Sequence, residues 1–162
     1  MSSRMPVFGN SGAGKSTYAN CLVEAAGLAP LDLATLAWEP GMPPQRKSCE
    51  ESWQEIERFM TAHDGWVIEG CYADLLELVE PCSTGIVFMN LPVTACIANA
   101  RARPWEPHKY SDKAAQDPSL DMLTDWIAQY PYRTDTCSRA SHETLHDACP
   151  GAKRVITVNS EQ

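Results

Sequence analysis

No stretch of the sequence approaches the ~20 consecutive apolar residues that a membrane-spanning helix needs, so no span is expected. The opening Met1-Ser2-Ser3-Arg4-Met5 lacks the apolar stretch of a secretory signal, and the expected compartment is the cytoplasm. Positive charge is scarce: 13 Lys and Arg stand against 21 Asp and Glu, a net charge of −8. Binding to nucleic acid or to an anionic membrane surface needs a basic footprint, so neither is expected as a partner. None of the seven cysteines forms a C-x-x-C pair, and the count is odd. They read as reduced, mostly buried small hydrophobes rather than as a disulfide framework or a zinc site. Internal repeats and low-complexity segments are absent as well.

What is present suits one ordinary domain. The 162 residues, 44% of them hydrophobic, are enough for a sizeable core, and residues 1–162 read as a single unit with a small insert. Short β-like runs alternate with helical patterns, which predicts an α/β fold with a parallel sheet and helices on its faces. Strands are expected over residues 5–8, 31–33, 66–69, 85–90 and 155–158. Helices are expected over 15–26, from the capping box Ser48/Glu51 to about Gly65, and over 73–79, 92–102, 119–130 and 138–148. The segment 39–47, with Pro40, Gly41, Pro43 and Pro44, reads as a loop. Residues 103–118, rich in proline and charge, read as irregular.

The strongest chemical signal is Gly9-Asn10-Ser11-Gly12-Ala13-Gly14-Lys15-Ser16, a complete G-x-x-x-x-G-K-[ST] phosphate loop, followed by Thr17. Glycines permit positive φ and let backbone N–H groups approach phosphate closely. Those groups and the N-terminus of the next helix make an anion cradle. Lys15 supplies a point charge for the β and γ oxygens, and the Ser16 hydroxyl is a ligand for Mg²⁺. Thr17 supports the helix. A strand before the motif and a helix after it complete the expected context. The pattern predicts binding of ATP or a close relative with Mg²⁺.

Phosphoryl transfer depends on positioning and charge neutralisation, so a second magnesium anchor is expected at the end of a strand beside the first. Glu69 closes the apolar run Trp66-Val67-Ile68-Glu69 and is the candidate, acting through water; the competing reading is a surface Glu at a strand end. Asn90 ends the other strong strand and is a weaker polar candidate.

With these residues in order, the chain resembles the small P-loop kinases, the group of adenylate, shikimate and gluconate kinases. It is most similar to the bacterial adenylate-kinase-like ATPases labelled DNA topology modulation proteins. The residues that carry the likeness are the phosphate loop with Val7 and Phe8, then Leu36-Ala37-Trp38-Glu39-Pro40-Gly41, and Trp66 through Tyr72. Met89-Asn90-Leu91-Pro92 and Arg101-Ala102-Arg103-Pro104 complete the set. The resemblance implies a five-stranded parallel sheet in order 2-3-1-4-5, an acceptor site over the ends of strands 2 and 3, and a lid at about 103–118. It places Asp32 where such kinases hold or deprotonate the acceptor hydroxyl, and Arg101, Arg103 and Arg133 where they keep phosphate-touching arginines. The competing readings are a turn-capping Asp and a solvated surface of ion pairs with Glu106, Asp112, Asp117 and Asp135. Trp38, Arg46 and Tyr72 are candidates to line the acceptor pocket.

Two departures narrow what transfers. The turn after the third strand reads Glu69-Gly70-Cys71-Tyr72, not the glycine triplet of shikimate kinases, and no arginine stands near Glu69 as in nucleoside monophosphate kinases. The expected activity is transfer of the γ-phosphate of Mg-ATP to a small hydroxyl or phosphate acceptor, with Lys15, Asp32, Arg101 and Arg133 as catalytic candidates. The alternative is a nucleotide-binding regulatory ATPase with slow hydrolysis and a protein partner.

Overall fold

A computed structural model describes residues 2–41, 45–102 and 113–159, with side chains in the last segment described from residue 120 onward. The chain begins with β1 (Arg4–Gly9), the phosphate loop and α1 (Lys15–Ala26), then β2 (Ala29–Asp32) and α2 (Cys49–Ala62). It continues through β3 (Trp66–Gly70), α3 (Ala73–Val79), β4 (Gly85–Met89) and α4 (Val93–Arg101). It closes with α5 (Lys113–Ala128), α6 (Arg139–Ala148) and β5 (Ala152–Ile156). These five strands form one sheet in the order β2-β3-β1-β4-β5, every neighbouring pair parallel. The order is the one the resemblance to the small P-loop kinases implied.

The period-2 pattern of the central strands sorts the core into two layers. Phe8, Ile68, Ile86 and Phe88 pack with Ile56 of α2, Leu75 and Leu76 of α3 and Leu145 of α6 on one face. Val7, Val67, Val87 and Met89 pack with Ala19 of α1, Cys96 and Ala100 of α4 and Ile127 of α5 on the other. Every residue of β3 and β4 is buried, as expected of parallel strands covered on both sides. Chain direction away from β1 reverses between β3 and β4. The carboxyl end of β1, where the phosphate loop begins, therefore lies at the switch point where open α/β sheets bind ligands.

Several boundaries differ from expectation, each for a physical reason. β2 ends at Asp32, because the Asp32 carboxylate caps a 3₁₀ turn over Leu33–Thr35 by accepting the Ala34 N–H at 2.9 Å. The expected loop at 39–47 contains a short antiparallel ladder, Trp38–Glu39 against Gln45–Arg46. β5 starts three residues early, at Ala152: as an edge strand pairing only β4 it is largely exposed and needs no apolar run. α5 begins at Lys113, inside the stretch expected to be irregular. The remainder of the expected lid, 103–112, lies outside the described residues. Ser48 caps α2 as read, accepting the Glu51 N–H at 3.2 Å. The cysteines are less uniform than expected: Cys96, Cys137 and Cys149 are buried, Cys21 and Cys71 half-buried, Cys49 and Cys82 exposed. No helix among the described residues is long and apolar enough to cross a membrane.

Candidate functional site

The phosphate loop wraps the end of β1 and feeds α1. Gly12 has φ +78°, and a Cβ there would lie 2.3 Å from the Cys96 carbonyl oxygen, so the loop packs directly on α4. Gly14, with φ +84°, is the left-handed N-cap of α1. Left-handed residues in such a run are the backbone conformation found in anion-binding nests. The Lys15 ammonium donates to the Asn10 carbonyl oxygen at 2.7 Å, folding the cation across its own loop. The Ala13 N–H donates to the same carbonyl at 3.1 Å. Ser11 is half-buried, and Thr17 lies exposed one residue into α1 beyond Ser16.

Ser16 and Glu69, 53 positions apart, meet here: the Ser16 hydroxyl donates to Glu69 Oε1 at 2.9 Å. Parallel pairing explains the meeting. Val7 of β1 is in register with Glu69 of β3, so Glu69 shares the face covered by α1. Its side chain is buried, at 7% exposure, and a buried carboxylate needs such a partner. Asp32 is the register partner of Glu69 on β2, which brings both carboxylate-bearing residues to one end of the sheet. The Asp32 side chain, however, serves its turn through Ala34.

Two residues that sequence reasoning passed over hold the loop. Asn99 of α4 donates to the Gly12 carbonyl at 2.8 Å and to Asn159 Oδ1, beyond β5, at 2.7 Å. The signal for Asn99 was present: an amide is a poor helix former, and it interrupts an alanine-rich helix. Asn159 lies past the last strand and carries no sequence signal of its own. Asn10 donates from Nδ2 to the Ile127 carbonyl at 3.3 Å. The buried Oδ1 atoms of Asn10 and Asn90 have no hydrogen-bond partner in the structure.

The arginines differ. Arg101 is exposed at the end of α4. Arg133 is largely buried in the connection between α5 and α6. Its guanidinium donates to the carbonyls of Trp126 and Cys137, pairs with Asp135 at 3.1 Å and stacks 3.9 Å over the Trp126 ring. Its charge and that of Lys15 both act on the buried His142 ring. Arg103 lies outside the described residues.

On the expected acceptor side, Arg46 lies 4.6 Å over the Tyr72 ring and 5.9 Å from that of Trp38, and it pairs with Asp74 at 3.2 Å. Trp38 Nε1–H donates to the Tyr72 hydroxyl at 2.9 Å. Burial pushes the Tyr72 hydroxyl far above the ordinary phenol range. The three side chains therefore come together, Trp38 and Arg46 from the short ladder after β2 and Tyr72 from just after β3.

The loop fits a nucleotide phosphate: it has a left-handed backbone nest, a cation across it and a helix N-terminus behind it. Among the described residues no group of three or more His, Cys, Asp or Glu gathers to hold a metal. A Mg²⁺ ion in a phosphate site generally takes one or two protein oxygens, with water and phosphates completing its shell. Beside the loop the side-chain oxygens that meet are those of Ser16 and Glu69.

No protein-family model matches the chain, and no curated protein does. Solved structures do resemble it. An unliganded sugar kinase from a Janibacter species superposes with a TM-score of 0.57 at 12% identity, over 99% of this chain and 88% of that one. A gluconokinase from Sinorhizobium meliloti does so with a TM-score of 0.57 at 17% identity, over 98% of this chain and 84% of that one. At such identities the likeness speaks for the fold alone: a five-stranded parallel sheet flanked by helices.

Proposed function

We propose that this protein is a small-molecule kinase that binds Mg-ATP at residues 9–17 and passes the γ-phosphate to a small hydroxyl or phosphate acceptor. The observation that carries the reading is the 2.9 Å bond between Ser16 and the buried Glu69, set beside the left-handed nest. Backbone N–H groups of the loop hold the phosphates. Lys15 exchanges the Asn10 carbonyl for phosphate oxygens. Ser16 and Glu69 would hold and orient a hydrated magnesium ion, which would supply neutralisation of charge on the phosphates. Asp32 and Glu69 stand at the strand ends where an acceptor hydroxyl would lose its proton. Trp38, Arg46 and Tyr72 wall that side. Arg101 and Arg133 are the proposed charge partners of the transferring group. The neighbours described as a sugar kinase and a gluconokinase support kinase chemistry and put sugar acids among the acceptors to try.

One observation favours a second reading, a regulatory ATPase with slow hydrolysis: Asp32 and Arg133 are both engaged in bonds within the protein. ADP formation measured against a panel of nucleosides, nucleotides and sugar acids separates the two. Stimulation by one chemical class supports the kinase. Equal, slow turnover across the panel overturns it in favour of the ATPase.

A further inference from the structure

Cys71 and Cys137 are 66 positions apart, yet their Sγ atoms lie 3.0 Å from each other. Cys71 is the first residue after β3; Cys137 sits in the connection between α5 and α6. The approach is held by a set of bonds joining the same two segments. The Ala73 N–H donates to the Thr136 carbonyl at 3.0 Å, and the Asp74 N–H to the Thr136 hydroxyl at 2.7 Å. The Thr136 hydroxyl donates to Asp74 Oδ1 at 3.1 Å, and His142 Nε2 lies 2.7 Å from the Cys71 carbonyl. Each thiol is thus fixed by its neighbours against the other. A disulfide has its sulfurs ~2.05 Å apart, so closure requires the two sulfurs to approach by about 1 Å.

We propose that Cys71 and Cys137 form an oxidation site: a hydroperoxide converts the pair to a disulfide that ties the end of β3 to the α5–α6 connection. Cys71 is half-buried and Cys137 only 6% exposed, so a small peroxide meets Cys71 first. The Cys71 sulfur attacks one peroxide oxygen, and the O–O bond breaks. For hydrogen peroxide, water leaves and Cys71 carries a sulfenic acid. The Cys137 sulfur then attacks the Cys71 sulfur, the S–O bond breaks, and hydroxide takes up the Cys137 proton as a second water. Two electrons pass from the sulfurs to the peroxide. A dithiol reductant reverses the change by thiol–disulfide exchange.

The tether has a structural consequence. The Cys137 carbonyl accepts from Arg133 at 2.8 Å, and the Cys137 N–H donates to Asp135 at 2.9 Å. Oxidation therefore fixes the segment that holds Arg133 in place.

The test treats the full-length protein with stoichiometric hydrogen peroxide, blocks free thiols and maps disulfides by mass spectrometry. The exposed Cys49 and Cys82 serve as internal competitors. Expected are a Cys71–Cys137 linked peptide as the main product and a melting temperature raised on the order of 10 °C, as a 66-residue cross-link predicts. Slower amide exchange over residues 133–138 should accompany them. Dithiothreitol should reverse all three. In Cys137→Ser the linked peptide should vanish and Cys71 should stop at sulfenic acid, running on to sulfinic acid only when a second equivalent of peroxide is added. The mapping on wild type needs no variant, so it decides even if Cys137→Ser does not fold. Sulfinic acid at Cys71 beside a free Cys137 in wild type, or disulfides confined to Cys49 and Cys82, would overturn the proposal. None of these readouts uses nucleotide, so the result stands apart from the kinase reading.

Discussion

The phosphate loop and the α5–α6 connection lie at the same end of the sheet and are held in opposite ways. The loop is a contiguous run whose bonds are mostly short-range: Lys15 and Ala13 to Asn10, and Tyr18 to Gly14. Few distant residues, Glu69 and Asn99 chief among them, complete it. The connection has no motif. It is fixed by residues far apart in sequence: Thr136 with Asp74, Cys137 with Cys71, and His142 with the Cys71 carbonyl. Within it, Arg133 gathers two carbonyls, a carboxylate and an indole face. The loop holds its conformation through residue type at fixed spacing. The connection holds its conformation through packing, so acid, oxidation or a single substitution acts on it more strongly.

The largest expected effect is on the connection, and it is set by pH. His142 is fully buried between Tyr130 and the Cys71 carbonyl. The carbonyl can only accept, so Nε2 carries the proton and Nδ1 accepts from the Tyr130 hydroxyl. Burial depresses its pKa to about 4; the Lys15 and Arg133 charges act in the same direction, while the Cys71 bond and Asp135 oppose them. Because the folded pKa lies below the ordinary ~6.5, the unfolded chain binds the proton first. This stability is fully present above about pH 6.5 and is lost as pH falls toward 4, a change of about 3 kcal/mol. Denaturant midpoints measured from pH 7.5 to 4 should show that decline, and His142→Gln should flatten it. A decline unchanged in the variant would assign it to other groups.

Lys15→Ala should weaken Mg-ATP about a hundredfold, ~2.7 kcal/mol, because it removes the cation from the loop. Thermal-shift titration with ATP reads it. Equal stabilisation of variant and wild type would place the nucleotide elsewhere.

Arg133→Ala tests whether the connection is only a scaffold. Loss of its bonds and ring contact should cost about 2 kcal/mol of stability. If the arginine also serves the phosphate, kcat should fall about tenfold, ~1.4 kcal/mol of barrier, with the KM for ATP little changed. Lost stability with wild-type turnover would confine Arg133 to the scaffold.

The smallest effect is expected at Glu69→Gln. The amide keeps an acceptor for the Ser16 hydroxyl, so the fold holds. Turnover should fall several-fold while ATP affinity stays within about a factor of two, ~0.4 kcal/mol. Unchanged turnover at saturating Mg²⁺ would shift the carboxylate role to Asp32.

What the sequence by itself determined is whatever depends on neighbours along the chain. The residues of the phosphate loop, the buried strands β3 and β4, the Ser48 cap and the strand order by way of resemblance were all legible. Each rests on a local period or on residue types at fixed spacing. The pairing of Ser16 with Glu69 was inferable, because an apolar parallel strand ending in a carboxylate has few places to go. Tertiary structure alone decided the rest. β5 could not be bounded, since an edge strand exposed to water needs no apolar signature. Asp32 reads alike as base or as cap until its turn is formed. The contacts of Asn99 with Gly12, of Arg133 with Trp126 and Cys137, and of Cys71 with Cys137 join helices and loops whose relative placement is set by packing on the two faces of the sheet. Side-chain type along the chain carries no record of which distant neighbour that packing will supply.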